Sequence, residues 1–528
     1  MKFRIPEKPV AAAVAALIII GLLVHGYALT IPFFDNDDYM VENMFLYSLV
    51  HMTGGNYLHY MLAVYAETRI VIGLYPSFTT FFTLFEPSHQ LLHAGPLAYH
   101  LIATILLFLL SLRFTENRRM SFVAALLFML MPISAETTGV YSKFCHAQSC
   151  ALNLLTLLLY FRYRETGRKT LYAASLFFAT WSALSFEYGL MLPLLIASVE
   201  LLWFPGQWSL RKKLVMFAPY LIPIIIWLSL ANFVKPDGRI IGEPYQGTNL
   251  AVFLAPYTSG RFLLSTFVHL PTTFGWPIRG NMVPHWTELR WIGVMIWVAL
   301  FAVFRRRIFT ERRFFLFGLL YAAIMFVPVQ RDFTYEPDLN GVRLLYNTTA
   351  GFAIMVAAAI GKSRARIIAP LVLLLAAGTV ANLISIKREA IAFSAQHRQI
   401  VAWAKGLTDA DHIFAVNSNT DGVAMSMNIH RTTGYTPIGI EETRLVGAEQ
   451  PRLPNERCYP FTEDTALFWM QQNGLFAYTL GINDGNRRND APPIVSVPEN
   501  LSVEQCRKSE ACRLCGRFLT DSYEVQFF

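Results

Sequence analysis

Charged residues are scarce in this sequence. They make up 15% of the 528 residues, whereas an ordinary soluble chain has about 25%. Hydrophobic residues make up 54%, which favours one large membrane domain plus a smaller part over a series of soluble domains. The formal net charge of +8 lies in short basic clusters between apolar runs. This distribution indicates a lipid bilayer as the partner and no nucleic acid.

The N-terminus lacks the features of a cleaved signal peptide. The apolar run over about 10–31 is preceded by Lys2, Arg4 and Lys8. It is long enough to span a bilayer, whereas a signal peptide has a shorter apolar core and a small-residue cleavage site. We therefore expect a retained first helix with its basic end in the cytoplasm. The sequence shows neither internal repeats nor low-complexity tracts.

Apolar runs recur along the first 386 residues and predict about eleven transmembrane helices. Lipid offers the backbone no hydrogen-bond partners, and runs this long without alternation are helical. The predicted spans are 10–31, 91–112, 120–134, 145–162, 170–186, 188–204, 213–233, 290–304, 314–329, 343–361 and 366–386.

Every second loop between these spans is rich in Lys and Arg, which predicts that those loops are cytoplasmic. The basic loops contain Arg113, Arg118 and Arg119; Arg162, Arg164, Arg168 and Lys169; Arg211, Lys212 and Lys213; Arg305, Arg306, Arg307, Arg312 and Arg313; and Lys362, Arg364 and Arg366. The other loops, including a long first outer loop at about 32–90, are then extracytoplasmic.

Residues 387–528 change in composition and have no run of membrane length. A helix over 390–405 and a buried strand over 412–416 predict a small extracytoplasmic α/β domain. An even number of cysteines in an exported domain predicts two disulfides, with three possible pairings, and a zinc site is the alternative. These cysteines are Cys458, Cys506, Cys512 and Cys515, whereas Cys145 and Cys150 lie in a span and are interpreted as packing residues.

Three carboxylates follow the first span directly, at Asp35, Asp37 and Asp38. Like charges this close together repel each other, which raises the pKa of at least one carboxyl group unless a cation is near. The cluster therefore has two chemical uses. One carboxylate can act as a general base on a hydroxyl group. The cluster can also hold a divalent cation through hard oxygen ligands. An ordinary solvated loop or helix cap is the alternative interpretation.

Other polar residues lie at predicted outer ends of spans. Ionisable residues near membrane spans are costly and usually face a protein interior or a water-filled site. The residues are Glu136, Lys143, Glu187, Arg331, Asp332, Glu336, Asp338, Arg343 and Tyr346. A shared cavity with acidic and basic walls would suit an anionic, membrane-anchored substrate, with arginine on a phosphate and aspartate on the reacting hydroxyl.

Four segments in this order resemble the GT-C superfamily of membrane glycosyltransferases over about residues 1–365. The first is the acidic pair in the first outer loop. The second is Phe128–Glu136, similar to a Phe-x-x-x-x-Pro-x-x-x-Glu stretch with one residue fewer before the proline. The third is Ser185–Gly189, similar to a Ser-Lys-Glu segment with Phe186 in place of the lysine. The fourth is Asn340–Tyr346, similar to an Arg-Tyr-Leu-Tyr segment with Leu344 in place of the first tyrosine.

The resemblance is to the type that includes dolichyl-phosphate-mannose protein mannosyltransferases and aminoarabinose transferases. It implies an all-α, polytopic membrane domain, inverting transfer from a polyprenyl-phosphate sugar, and a glycolipid, polysaccharide or protein acceptor. Asp37 maps to the reactive aspartate, with Asp38 and Asp35 as further candidates for base or metal ligand. Arg343 maps to the donor phosphate. Some members of the superfamily use a divalent cation such as Mg or Mn, and others do not.

The six cysteines and the topology together indicate a bacterial inner (plasma) membrane, with an archaeal membrane as the alternative. The site and the C-terminal domain are then extracytoplasmic, which in a bacterium is the periplasm. Two alternatives remain within lipid-linked sugar chemistry. One is a surface-polysaccharide polymerase or ligase. The other is a lipid-linked sugar transporter, which would place its polar residues at mid-depth and often carries paired repeats.

Overall fold

The computed structural model describes residues 7–32, 73–74, 77, 92–233, 239–240, 243–244, 286–329, 343–405, 412–417, 438–439, 458–460, 465–471, 474–478, 494–496, 513–519 and 522–527. The chain forms two compact units. The first comprises Met1–Phe34, Ile70–Pro236 and Gln246–Ala390, and the second comprises Asp35–Arg69, Asp237–Tyr245 and Ile391–Phe528.

The described residues of the first unit form helices joined by turns and short connections, and the last of these helices continues beyond the unit. Its α-helices are α1 (Glu7–His25), α2 (Ala94–Thr115), α3 (Arg118–Leu130), α4 (Ser134–Gly139), α5 (Phe144–Thr166), α6 (Lys169–Ser185), α7 (Leu192–Trp203), α8 (Leu210–Phe217), α9 (Ile222–Phe233), α10 (Trp286–Val303), α11 (Arg305–Thr310), α12 (Arg312–Phe326), α13 (Tyr346–Ile360) and α14 (Ala365–Lys405). Short 3-10 turns cover Gly26–Thr30, Tyr141–Lys143, Glu187–Met191, Ala218–Leu221 and Val327–Val329.

A helix overlaps each of the predicted spans. Within the described ranges, five helices are long and apolar enough to cross a membrane. They are Pro9–Thr30, Ala94–Thr115, Phe144–Thr166, Arg343–Ile360 and Ala365–Ile391. The prediction of a multi-pass, helical membrane protein is therefore confirmed, whereas the number of eleven spans stays a prediction.

The last membrane helix does not end where the sequence analysis ended it. We expected a span over 366–386 and a separate helix over 390–405, but α14 runs from Ala365 to Lys405 without a break. The intervening residues, Lys387 and its neighbours, are good helix formers and give the backbone no reason to stop. The Ser385 hydroxyl also donates to Glu389 Oε1 one turn later, at 3.1 Å. Charge ended the apolar run but not the helix.

Helices α12 and α13 approach each other closely at two glycines. A Cβ atom added to Gly351 would lie 2.5 Å from the backbone nitrogen of Ala322 and 2.5 Å from the carbonyl oxygen of Gly318. Small residues at helix contacts let backbones approach and maximise van der Waals packing within a membrane. This contact fixes α13, which begins at Tyr346 and follows the 3-10 turn that carries Arg343.

Gly351→Ala is expected to destabilise the protein by about 1–3 kcal/mol, because overpacking a close contact forces the backbones apart. The measurement is the thermal unfolding midpoint of the purified protein in detergent. Gly26→Ala is the matched control, since a Cβ added there has no atom within 4 Å. An equal change in both variants would contradict the close-contact explanation.

The predicted cytoplasmic loops meet at one end of the helical unit, which we call the basic end. Arg113 lies 3.8 Å from Glu165 on the following basic loop. Further contacts join the remaining basic loops: Arg164 and Lys213 pair with Glu200, Arg119 and Arg307 bond to Ser363, and Lys362 pairs with Glu311. These contacts place the basic loops at one end of the unit, as their alternation along the sequence predicts. The side of the membrane that this end faces stays a prediction.

The second unit contains short strands. They are β1 (Arg239–Ile240), β2 (Glu243–Pro244), β3 (His412–Asn417), β4 (Ile438–Gly439), β5 (Cys458–Pro460), β6 (Thr465–Gln471), β7 (Gly474–Tyr478), β8 (Ile494–Ser496), β9 (Arg513–Leu519) and β10 (Ser522–Phe527). Two four-stranded sheets have the orders β4-β3-β6-β7 and β5-β9-β10-β8, and β1 pairs with β2. A strand thus lies at the predicted position 412–416, and the α/β domain as a whole stays a prediction.

The sheet register bears on the cysteines. Strand β5 pairs antiparallel with β9, and Cys458 lies directly opposite Cys515. Directly opposed residues of an antiparallel pair have Cα atoms about 4.5–5.5 Å apart, which is within the range of disulfides. The register shows only that the two backbone positions are opposed, and the disulfide pairing stays a prediction.

Candidate active site

The site is built around an interruption of the helical backbone between α3 and α4. Met131 precedes Pro132 and is extended, with φ −66° and ψ 125°, as expected for a residue before proline. The helix therefore ends at Leu130, and the short helix α4 follows. Its start is fixed by the Ser134 hydroxyl, which donates to the Met131 carbonyl at 2.7 Å. This turn holds Glu136 at the end of the bundle.

Arg343 binds Glu136 through two hydrogen bonds. Its Nη1 donates to Glu136 Oε1 at 2.7 Å, and its backbone N–H donates to Glu136 Oε2 at 3.1 Å. The carboxylate thereby holds the guanidinium and also caps the turn that begins α13, where a negative charge is favoured. The side chains of Arg343 and Glu136 are 28% and 15% exposed. The pair is thus partly desolvated and still accessible from outside the bundle.

The segment around Glu187 joins the same end of the bundle, which we call the Glu136 end. The Tyr188 hydroxyl donates to the carbonyl of Leu344, the residue after Arg343. Glu187 itself is half-buried at the first position of its 3-10 turn. This hydrogen bond therefore ties the turn to the Arg343 segment. Each of its two residues is the direct neighbour of a predicted site residue, Glu187 or Arg343.

Lys143 and Tyr346 lie deeper than the ion pair. Lys143 is the last residue of a 3-10 turn before α5 and is 7% exposed. Tyr346 begins α13, is 1% exposed, and its hydroxyl bonds to His100 Nδ1 at 2.5 Å. Both predicted substrate ligands thus belong to the Glu136 end, but Tyr346 lies inside the bundle.

The predicted acidic cluster, Asp35, Asp37 and Asp38, lies outside the described residues, as does the segment from Arg331 to Asp338. The chain just before the cluster is described. Ile31 packs in a buried apolar group with Ala135 and Val140, which flank Glu136, and with residues of α14. The first span therefore ends beside α4. Among the described residues, no cluster of three or more His, Cys, Asp or Glu side chains offers a metal site.

Two buried histidines near the site were not among the residues predicted from the sequence. His25 ends α1 and His100 lies in α2, both are 0% exposed, and their rings are 4.5 Å apart. The Nε2 atoms of both bond to the carbonyl oxygen of Met129, at 2.8 Å for His25 and 3.2 Å for His100. A polar ring inside an apolar run was the available signal, but it does not show which partner the ring has.

The first outer loop also has an unexpected anchor at Gly73. Its carbonyl oxygen accepts from Gln148 Nε2 at 2.8 Å and from Trp181 Nε1 at 2.6 Å, and its N–H donates to the Leu184 carbonyl at 2.9 Å. A Cβ added there would lie 2.6 Å from Ser185 Oγ. Only glycine fits this position without displacement, so the loop is fixed beside the segment that leads to Glu187.

The helices and the ion pair at their Glu136 end define a helical, multi-pass membrane bundle. The sequence matches no family model and no curated protein. Among solved structures, the chain is similar to ArnT from Cupriavidus metallidurans bound to undecaprenyl phosphate. The TM-score is 0.51 at 12% identity, over 81% of this chain and 85% of that chain. This similarity concerns the fold, and it confirms the GT-C fold that the sequence motifs implied.

Two further solved structures are similar at lower scores. ArnT from the same organism in the apo state has a TM-score of 0.48 at 10% identity, over 82% of this chain and 89% of that chain. The Archaeoglobus fulgidus oligosaccharyltransferase in complex with Zn and sulfate has a TM-score of 0.43 at 14% identity. That match covers 80% of this chain and 62% of the oligosaccharyltransferase chain.

Proposed function

We propose that this chain is a membrane glycosyltransferase that moves a sugar from a polyprenyl-phosphate donor to a hydroxyl group. The observation that carries the proposal is Arg343, held by both oxygens of Glu136 and still 28% exposed. A fixed guanidinium at the end of a membrane bundle is suited to a phosphate on a membrane-anchored lipid. The GT-C fold, shared with a protein solved with undecaprenyl phosphate, supports the same donor class.

The base in this proposal is Asp37, with Asp38 and Asp35 as further candidates. The first span ends at the Glu136 end, where Ile31 packs beside α4. Asp37 follows Ile31 by six residues, and a chain of that length reaches at most about 22 Å. A base at Asp37 is therefore compatible, by chain length, with the reaction proposed at the Glu136 end.

The reaction is a single inverting displacement. Asp37 takes the proton of the acceptor hydroxyl, whose oxygen attacks the anomeric carbon from the face opposite the phosphate. The bond between the anomeric carbon and the phosphate oxygen breaks through an oxocarbenium-like state, and the lipid phosphate leaves with the electron pair. Arg343 stabilises the negative charge that develops on this leaving group. The carboxylate of Glu136 keeps the guanidinium in place and spares it reorganisation during the step.

The other predicted residues have supporting roles in the proposal. Lys143 and Glu187 line the Glu136 end as substrate ligands, and Tyr346 positions the start of α13. Asp35, Asp37 and Asp38 would be the ligands of a divalent cation such as Mg or Mn, and no step above depends on one. The acceptor is a glycolipid, a polysaccharide or a protein.

We further propose that the Glu136 end faces away from the cytoplasm of an inner or plasma membrane. The basic end would then be cytoplasmic, in agreement with the charge rule for short loops. Residues 1–386 would form the transferase domain, and 387–528 an extracytoplasmic α/β domain that contacts the acceptor.

Arg343→Gln is expected to lower kcat for sugar transfer by about 100-fold, because a fixed charge on the leaving group is lost. The assay uses the purified protein with a panel of polyprenyl-phosphate sugars and measures release of lipid phosphate. Lys362→Gln is the matched control, since it removes an exposed cation paired with Glu311 at the basic end. We expect this control to retain wild-type activity.

Two outcomes would overturn the proposal. Equal activity of Arg343→Gln and Lys362→Gln would remove Arg343 from the donor site. If the wild type consumes no donor yet moves lipid-linked sugars across vesicles, the transporter alternative is correct. Products that lengthen with time would instead identify a polysaccharide polymerase that uses the same site.

A further inference from the structure

The carbonyl of Met129 is shared by two buried histidines. In a continuous helix this oxygen would accept the N–H of residue 133, but α3 ends at Leu130 and leaves its last carbonyls without helical partners. His25 Nε2 and His100 Nε2 lie 2.8 Å and 3.2 Å from it. One oxygen, freed by the break before Pro132, thereby joins α1, α2 and α3.

The second nitrogen of each ring bonds to a residue on a different helix of the site. His25 Nδ1 lies 3.1 Å from the Thr138 hydroxyl on α4, and His100 Nδ1 lies 2.5 Å from the Tyr346 hydroxyl on α13. A carbonyl only accepts, so both Nε2 atoms carry the hydrogen, and a neutral ring then accepts at Nδ1. The Tyr346 hydroxyl is therefore the donor to His100, and the Thr138 hydroxyl, which also donates to the Ser134 carbonyl at 3.0 Å, shares its proton with His25. Each neutral histidine is a bridge with one donor and one acceptor.

These bridges end next to the two partners of the ion pair. Thr138 follows Glu136 by two residues on α4, and Tyr346 follows Arg343 by three residues. The two segments that carry the pair come from distant parts of the chain. Each is tied through one histidine to the same Met129 carbonyl, so the two histidines link the segments through a single atom.

We propose that His25 and His100, bridged by the Met129 carbonyl, are positioning residues that hold Arg343 and Glu136 in register. The structural part of this proposal, the positioning of Arg343 and Glu136, rests on the hydrogen bonds alone. Its catalytic part, an effect on sugar transfer, rests on the proposed function. Both histidines are fully buried and Tyr346 is nearly so, which places them out of reach of the substrate. They act on the reaction through Arg343.

The test compares two variants that each remove one buried hydroxyl from α13. Tyr346→Phe removes the bond to His100, whereas Thr349→Val removes a bond within the helix, to Leu345 at 2.9 Å. The first readout is hydrogen exchange at the Arg343 amide, whose proton is bonded to Glu136. We expect about tenfold faster exchange in Tyr346→Phe and little change in Thr349→Val.

The second readout is kinetic. In Tyr346→Phe we expect kcat to fall about tenfold with KM for the donor within about twofold, because small misplacements of a catalytic group affect the transition state most. His100→Phe removes the acceptor of the Tyr346 bond, together with the donor to the Met129 carbonyl. It is expected to lower kcat at least as much as Tyr346→Phe does, and the double variant is expected to match His100→Phe, because the Tyr346 bond is already lost in it.

The outcomes separate the two proposals. Unchanged exchange at the Arg343 amide in Tyr346→Phe would overturn the bridge, whether or not sugar transfer is observed. Faster exchange with unchanged kcat would overturn its catalytic role. Faster exchange in a protein whose wild type consumes no donor would support the bridge and overturn the proposed function.

Discussion

Asp37→Asn is expected to lower the rate of sugar transfer by about 1,000-fold, the middle of the range for loss of a general base. Asparagine has nearly the same shape as aspartate, and it retains an acceptor oxygen, so the acceptor substrate still binds. An amide does not take a proton at neutral pH. The expected signature is therefore a large fall in kcat with KM nearly unchanged, measured as release of lipid phosphate.

The acidic cluster provides the comparisons for this prediction. Asp35→Asn and Asp38→Asn remove the neighbouring carboxylates, and each is expected to have a smaller effect than Asp37→Asn. Glu42→Gln is the matched control, because it removes a carboxylate from the same outer loop, four residues after Asp38. Full activity of Asp37→Asn beside an inactive Asp35 or Asp38 variant would transfer the role of base within the cluster.

Sequence reasoning was effective where burial is costly. A charged residue at the end of an apolar run needs a partner, and the partners were predicted to lie on one side. The structure joins Glu136 and Arg343 directly, although 207 residues separate them along the chain. The Lys and Arg clusters of the alternate loops likewise lie together at the basic end. Charge in a membrane protein carries long-range information, because it limits where each loop can lie.

The histidine bridges were not predictable for the opposite reason. The acceptor shared by His25 and His100 is a backbone carbonyl, which every residue has. Only the end of α3 makes the Met129 carbonyl available, and only the packing of α1 and α2 brings both rings to it. The unbroken helix α14 illustrates a related limit. Hydropathy marks where a helix leaves the apolar region, but helix propensity decides where it ends.

Gly189→Ala is expected to have the largest effect on stability of the substitutions considered. An added Cβ would lie 2.1 Å from the backbone nitrogen of Ala183 and 2.3 Å from the carbonyl carbon of Ser182. Both are atoms of the α6 backbone, so a rotamer change cannot relieve the overlap. We expect a loss above the roughly 1–3 kcal/mol that is typical of overpacking, measured as the thermal unfolding midpoint in detergent.

Gly21→Ala is the matched control for this prediction. An added Cβ there would lie 2.4 Å from Leu101 Cδ2 and 2.9 Å from Met129 Sδ, which are the ends of flexible side chains. Those ends can move at small cost, so the control is expected to be the milder variant. An unfolding midpoint for Gly189→Ala equal to that of Gly21→Ala would contradict the backbone explanation.

The same substitution tests how the site depends on its scaffold. Gly189 belongs to the 3-10 turn that begins at Glu187, and Tyr188 beside it donates to the Leu344 carbonyl. Displacing the turn from α6 would break or lengthen this hydrogen bond. The segment that carries Arg343 would then shift as well. We therefore expect Ala183→Gly, which removes a Cβ but leaves the backbone in place, to rescue neither the stability nor the activity of Gly189→Ala. Rescue would mean that side-chain crowding, and not the approach of two backbones, holds the Glu187 turn against the bundle.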